Sequence, residues 1–379
     1  MDLVASMLLR ELKAQHRRSV VASLLRPRFV RRFSRARAGG EKKYLFSADR
    51  MLNRFIDYPR FLRARRNDFD LFHIVDHSYS HLVPVAGPER SIVACHDLDT
   101  FRCIIEPHNE PRSRQFRHMT RRILNGFVSA MAVTCTTAIM RDQILRHRLI
   151  PAERLTVSPY GVADSFNPRP DTQADSEVLR LLGPPDSDRI ELLHVGTTIP
   201  RKRIDVLLRV FAALRREIPS VRLIRVGGAF TPAHLGLMRD LALPNDSVIA
   251  VPFVGHETLP AVYRRATLTV LPSDAEGFGI PVAESMACGT PVVVSDFPVL
   301  REIAGPAAAF CTVGDVEHWT GAILNLLQER LECPNSWKKR KAAGTSWARQ
   351  FTWTSYAERA VAMYRKIGLG LREFGTART

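Results

Sequence analysis

A chain of 379 residues, 45% apolar and 25% charged, is long enough for two domains with a core each, and its composition excludes a disordered or fibrous protein. No apolar run reaches the length needed to span a bilayer, and the opening MDLVASMLLRELKAQHRR carries charges too early for a secretory leader. The net charge of +17 implies an anionic partner, a membrane surface or an anionic glycan; nucleic acid is not expected, since no recognition motif accompanies the charge. The plainer alternative is an arginine-rich solvated face.

Val4, Leu8 and Leu12, with Leu9 beside them, read as a helix from the first residues. A doubly wound domain usually opens with a strand and a glycine loop before its first helix. Neither is present here, so the expectation is that a β-rich segment precedes Met1 in the gene, or that the protein works without one. Much of the positive charge follows: Arg17, Arg18, Arg26, Arg28, Arg31, Arg32, Arg35, Arg37, Lys42 and Lys43. Residues 71–75 read as a short strand, and Ser91–Cys95 as a second that ends at His96-Asp97. Residues 125–132 lead helically into a strand at 133–135. Thr136 and Thr137 are placed to cap a helix over 138–148. Another strand at 155–158 is closed by Tyr160-Gly161-Val162. Residues 163–188, rich in Pro, Asp and Ser, read as a linker.

The second half repeats the alternation. A strand at 190–195 runs into the loop Gly196-Thr197-Thr198-Ile199-Pro200-Arg201-Lys202-Arg203, then a helix with Ile204, Leu207, Leu208, Phe211 and Leu214 on one face. Strands follow at 221–226, before Gly227-Gly228, and at 248–251. A helix containing Leu259 and Tyr263 leads to a strand at 266–271. Helices from Trp319 and over 352–367 close the chain. Strands alternating with helices argue for parallel, doubly wound α/β sheets. The domains are expected at 1–165 and 166–345, and no internal repeat is visible. Six scattered cysteines without a CxxC pair read as reduced thiols of a cytoplasmic protein.

The most informative stretch is LPSDAEGFGIPVAESMACGTPVVVSDFPVLRE, residues 271–302. Gly277 and Gly279 let the backbone bend and approach a ligand. Ile280 and Pro281 open a helix, with Glu284 expected in its first turn. Two carboxylates, Glu276 and Glu284, thus bracket a helix start at the carboxyl end of a strand, where parallel sheets bind ligands and free amides favour phosphates. Carboxylates accept from hydroxyls, so Glu276 suits a sugar and Glu284 a ribose diol. The plain alternatives are a solvated loop acid and a dipole-stabilising helix glutamate. In the loop after the strand at 190–195, Arg201 and Lys202 with free amides read as a diphosphate clamp. Together the pattern reads as a nucleotide-sugar site.

E-G-F-G-I-P-V-A-E with C-G-T-P-V-V resembles the donor motif of retaining GT-B glycosyltransferases of the family 4 type, and the resemblance covers about residues 70–365. It implies a GT-B fold, two Rossmann-like doubly wound parallel-sheet domains facing across a cleft, with the helix at 352–367 crossing back onto the first. It implies donor binding by Gly196, Thr197, Arg201, Lys202, Gly277, Phe278, Gly279, Ile280 and Glu284, with Glu276 on the donor sugar. In the family pattern a Gly-Arg pair opens the clamp loop; here Thr197 stands in that Arg position, Lys202 matches the family Lys, and the arginine role passes to Arg201. His96, in an H-D pair, is implied to contact the donor sugar, against the alternative of a satisfied rim histidine. Asp76-His77-Ser78-Tyr79 is implied to face the acceptor. His73, His77 and His81 recur every four residues, but the first lies on a strand, so no shared face and no metal site is expected.

The reaction so implied moves a sugar, a hexose by expectation, from a nucleotide sugar to a glycan, lipid-linked or other hydroxyl acceptor with retention. No carboxylate nucleophile is evident, so a front-face route is implied, without metal or other cofactor, in a cytoplasmic protein at the inner face of the membrane. The alternatives are an epimerase or phosphorylase on the same scaffold, the latter lacking a convincing pyridoxal lysine, and an inactive GT-B binding module.

Overall fold

The computed structural model describes residues 2–34, 43–186 and 189–376; Arg35, Arg37 and Lys42 of the basic run lie outside the described residues. The chain divides into two compact units, Met1–Pro159 with Trp353–Thr379, and Tyr160–Thr352. The division falls at 159 rather than 165 because Tyr160 and Phe166 pack on aromatic rings of the second unit, Tyr160 on Phe278 (5.2 Å) and Phe166 on His256 (5.0 Å).

In the first unit four parallel strands lie in chain order: β1 (Phe72–Ile74), β2 (Ser91–Cys95), β3 (Ala132–Cys135) and β4 (Leu155–Val157). β2 and β3 are buried along their whole length, as a parallel sheet covered on both faces requires. One cluster joins Val93, Val133, Phe101, Ile123, Phe127, Met140 and Ile144. Another joins Ile92 and Ala132 to Met363 and Ile367 of the terminal helix Trp353–Thr376. The opening helix Asp2–Gln15 buries Val4, Met7, Leu8 and Leu12 and meets that terminal helix through Gln15 and Glu11 on Thr354 (3.2 Å each). Among the described residues no strand precedes β1.

Two local expectations are corrected here. The helix expected over 125–132 is Arg114–Ser129. Ser113 caps it by accepting from the Phe116 amide (3.2 Å), and Ala130 is already extended. The next helix is Ala138–Arg146. Thr137 caps it through the Met140 amide (3.0 Å), and it stops short of Arg148, whose φ of 52° leaves the helical region.

In the second unit six parallel strands are β5 (Glu191–Val195), β6 (Arg222–Val226), β7 (Val248–Val251), β8 (Leu268–Leu271), β9 (Val292–Ser295) and β10 (Ala309–Cys311). Their order is β10-β9-β8-β5-β6-β7. The chain steps outward from β5 to β7, returns to the other side of β5, and steps outward again. This is the doubly wound order, and its switch point lies between β5 and β8. Residues 163–188, expected as a linker, contain the helix Thr172–Leu182, capped by Asp171 and burying Ala174, Val178 and Leu182. Its Pro, Asp and Ser residues supply the cap and solvent face, while its apolar residues recur at helical spacing. No helix among the described residues is long and apolar enough to cross a membrane.

Candidate functional site

The loops after β5 and β8 both leave the sheet at the switch point, and side chains stitch them together. Lys202 Nζ donates to Glu276 Oε1 (2.5 Å), Ser273 donates to the same oxygen (2.7 Å), and Arg201 Nη1 lies 3.4 Å from Oε2. Arg201 also donates to the Ala275 carbonyl (2.9 Å), and its own carbonyl accepts from the Asp274 amide (2.9 Å). The Glu276 side chain is only 5% exposed. Two cations against one anion leave a net positive charge here. Lys202 has further N–H donors to offer, and so has Arg201.

Behind this pair the helix Ile280–Ala287 opens at Gly279, whose φ of +92° favours glycine. No side chain caps this helix; Pro281 has no N–H and the Val282 amide donates to the Gly279 carbonyl (2.9 Å), so of its first three residues Ile280 alone keeps an amide for an anion. Glu284 is the fifth helical residue and belongs to the second turn, a correction of its expected first-turn place. The helix starts at Ile280 as expected, and its first turn of 3.6 residues ends before Glu284. Glu284 is buried and accepts from the Tyr263 hydroxyl (2.9 Å). Burial pushes its carboxyl up to about 8, against the opposing hydrogen bond from Tyr263. The Phe278 ring is buried between Tyr160 and Phe351 (5.2 and 5.5 Å), so this residue faces the core with its side chain and offers a ligand only its backbone.

A third cation, absent from the sequence reading, supports the other side of the site. Arg225 on β6 is fully buried and stacks on Phe230 (4.9 Å). It donates to the Gly196 carbonyl (3.1 Å) and to the Gly228 carbonyl. A trans peptide points its C=O and the next N–H in opposite directions. Arg225 therefore turns the amides of Thr197 and Ala229 away from itself. Gly227, at φ +105°, brings the two loops so close that a Cβ there would lie 2.7 Å from the Gly196 oxygen. Register neighbour His194 is also fully buried. Burial first, then Arg225 and Lys202, holds its ring at about 3, so it adds no charge at neutral pH.

In the other unit His96 follows β2 and is buried. Its Nε2 bonds the Val75 carbonyl (2.6 Å), and its amide donates to His77 Nδ1 (3.3 Å). Burial holds both rings at about 4, hence neutral. With Nδ1 accepting, the His77 proton sits on Nε2. That atom has no hydrogen-bond partner among the described residues, and Asp97 Oδ1 lies 3.7 Å away. Asp76, His77 and His96 bring ligand-type atoms within 4.8 Å of one another, but this tautomer makes His77 Nε2 a donor. His73 bonds the Tyr364 hydroxyl (2.7 Å) and His81 the Arg54 carbonyl (2.7 Å).

A family model described as Glycosyltransferase Family 4 matches residues 3–166, and one described as Glycosyl transferases group 1 matches residues 182–344. The chain belongs to this glycosyltransferase family. Among curated relatives of this glycosyltransferase is O-antigen chain mannosyltransferase B of Escherichia coli, 27% identical over 82% of this chain and 80% of the relative. D-inositol 3-phosphate glycosyltransferase of Thermobispora bispora is 33% identical over 56% of this chain, and the match spans about half, 51%, of that relative. Of solved structures, sucrose-phosphate synthase of Thermosynechococcus elongatus superposes with a TM-score of 0.68 at 23% identity, over 83% of this chain and 78% of that one. An Anabaena protein crystallised with UDP and glucose superposes with a TM-score of 0.66 at 18% identity, over 82% of each chain. At these identities the likeness shows the fold, which is GT-B as expected.

The features of this glycosyltransferase that sequence reasoning missed are Arg225, His194, the Tyr263 hydroxyl on Glu284, and the orphaned His77 Nε2. Arg225 had a visible signal: a charged residue inside the apolar strand pattern LIRV, directly before two glycines.

Proposed function

We propose that this glycosyltransferase moves a hexosyl group from a nucleoside diphosphate sugar to a hydroxyl of a glycan or lipid-linked acceptor, with retention at the anomeric carbon. The observation that carries this reading is Glu276 held by Lys202 and Arg201 at the switch point, beside an uncapped helix start. The diphosphate takes the Ile280 amide at the start of the helix Ile280–Ala287 and the remaining donors of Arg201 and Lys202. Glu276 accepts from donor-sugar hydroxyls, and Glu284 from the ribose diol in place of, or together with, Tyr263.

The acceptor oxygen bonds the anomeric carbon as the bond to the diphosphate oxygen breaks, and the acceptor proton passes to that departing oxygen. Cations and amides stabilise the charge that develops there. No metal is required, because Arg201, Lys202 and the helix supply the positive field. The mannosyltransferase relative makes a nucleoside diphosphate mannose the first donor to test. His96 is assigned to the donor sugar from the resemblance; its variant His96→Ala tests that role separately.

The experiment is titration of nucleoside diphosphate sugars into the protein, with a transfer assay in the presence and absence of EDTA. Glu276→Gln should lower kcat/KM by about ten- to a hundredfold, the value of a charged hydrogen bond, and activity should survive chelation. Failure of the wild-type protein to bind any such donor, or equal transfer by Glu276→Gln, overturns the reading. Loss of activity in EDTA that Mn²⁺ or Mg²⁺ restores overturns the phosphate assignment.

A further inference from the structure

Residues 20–33 form neither helix nor strand, yet they are firmly held. Buried Asn53 accepts from the Val30 amide (2.7 Å) and donates to the Val30 carbonyl (2.8 Å). Buried Asp49 accepts the amides of Arg32 (3.0 Å), Phe33 (3.1 Å) and Ser34 (2.9 Å) and the Ser34 hydroxyl (2.7 Å). Although burial opposes it, these donors hold the Asp49 carboxyl down at about 2, so the fastening is ionised at any ordinary pH. Arg32 forks onto Asp57 (2.7 Å to each oxygen), and Phe29 packs on Phe46 (5.4 Å).

This strap is anchored by its backbone and by Leu25, which packs against the cluster of Leu62, Phe72 and Ala86, and directs most of its other large apolar side chains to solvent. Val21 is 93% exposed and Phe33 52%, and Leu24, Phe29 and Val30 are exposed with them. Arg17, Arg18, Arg26, Arg28 and Arg31 are exposed between and beside them. No acidic residue occurs between Leu12 and Ser34. Exposed apolar groups clustered in this way mark an interaction surface. A solvated arginine face has no use for phenylalanine, and a nucleic acid gives Val21, Leu24 and Val30 nothing to bury against. An anionic bilayer satisfies both sets at once, with headgroups for the guanidinium groups and the acyl boundary for the apolar side chains.

We propose that residues 17–33 are a preformed membrane-docking strap that seats this protein on anionic lipid. The ordering that a flexible basic tail must undergo on binding is already made by Asp49 and Asn53. The strap does not rest on the donor assignment, and the two fail independently.

The test is cosedimentation of the full chain with vesicles of phosphatidylglycerol and phosphatidylcholine in equal amounts, against phosphatidylcholine alone, at low and high salt. The wild-type protein should bind only the anionic vesicles and keep a salt-resistant fraction through its apolar contacts. Arg17→Ser with Arg28→Ser should weaken binding about 25-fold, at about fivefold or about 1 kcal/mol per cation. Val21→Ser, Leu24→Ser and Phe33→Ser together should leave binding at low salt that high salt removes entirely. All five positions are exposed, and circular dichroism melts should match the wild type. Absence of wild-type binding, undiminished binding by both variants, or displacement from vesicles by an RNA oligonucleotide overturns the proposal, the last by assigning the strap to nucleic acid.

Discussion

In the unit of residues 160–352 the strands reverse their direction of travel between β5 and β8, whereas in the other unit they follow chain order from β1 to β4. The reversal opens a crevice at the carboxyl ends of two adjacent strands whose loops are 74 residues apart in sequence, the separation of Lys202 and Glu276. Opposite charges from two distant segments meet there as a consequence of strand order. The chain-order sheet has no such crevice among its described strands. Its candidate groups, His77 and His96, are brought together by a turn, His77–Leu82, lying against a helix. The first site is thus joined by side chains across distant segments, while the second rests on a turn whose backbone closely approaches Gly126.

Gly126→Ala should break that contrast most severely. A Cβ at Gly126 would lie 1.9 Å from the Ser80 carbonyl oxygen, 2.5 Å from its carbon and 3.0 Å from the His81 nitrogen, all backbone atoms that cannot rotate away. Overpacking at this site should cost about 3 kcal/mol or more, read as a large fall in Tm. Nucleotide binding, assigned to the other unit, should persist in the same variant below its melting point. A melting curve like that of the wild type would show that the turn adjusts freely.

On the switch-point side, Arg225→Met tests whether the buried guanidinium orients the loops or only fills space. It leaves the Gly196 and Gly228 carbonyls without their charged donor, a loss of about 2 kcal/mol. The donor KM should rise with little change in kcat, and Arg225→Lys should recover only part, since an ammonium lacks the planar fork. A lowered Tm with an unchanged donor KM would reduce Arg225 to a structural residue.

The last effect concerns Glu284 and depends on pH. Its carboxyl sits at about 8 in the folded protein against an ordinary 4.5. Between those values the native state holds a proton that the unfolded chain has lost, so this group's stabilising contribution is complete below about pH 4.5 and is lost as pH rises toward 8. The slope is at most about 1.4 kcal/mol per pH unit. Glu284→Gln should flatten the fall of Tm between pH 5 and 8. An identical slope in the variant would place the titration elsewhere.

Much of this was legible from residues alone. β2 and β7 occur at their expected bounds, and the helix Ile204–Glu217 buries each of the apolar residues named for it. Errors arose where a local signal competed with tertiary packing. The Pro, Asp and Ser of 163–188 masked the apolar face of Thr172–Leu182. Phe278, read as part of a ligand loop, is taken up by Tyr160 and Phe351.

The amino-acid sequence by itself determined the alternation of strands and helices, the placing of Gly277, Gly279 and Glu276 after a strand, and the basic, acid-free run before Ser34. These are properties of neighbouring residues, and hydrophobic period, turn chemistry and charge act over a few positions. Only the tertiary structure decided that Lys202 meets Glu276, that Arg225 fastens two glycine loops, that Tyr263 keeps Glu284 company, and that Asp49 and Asn53 hold a strap with Val21, Leu24 and Phe33 outward. Each of these joins segments whose proximity follows from strand order or packing, and pairing energy between distant segments leaves no periodic trace in either one.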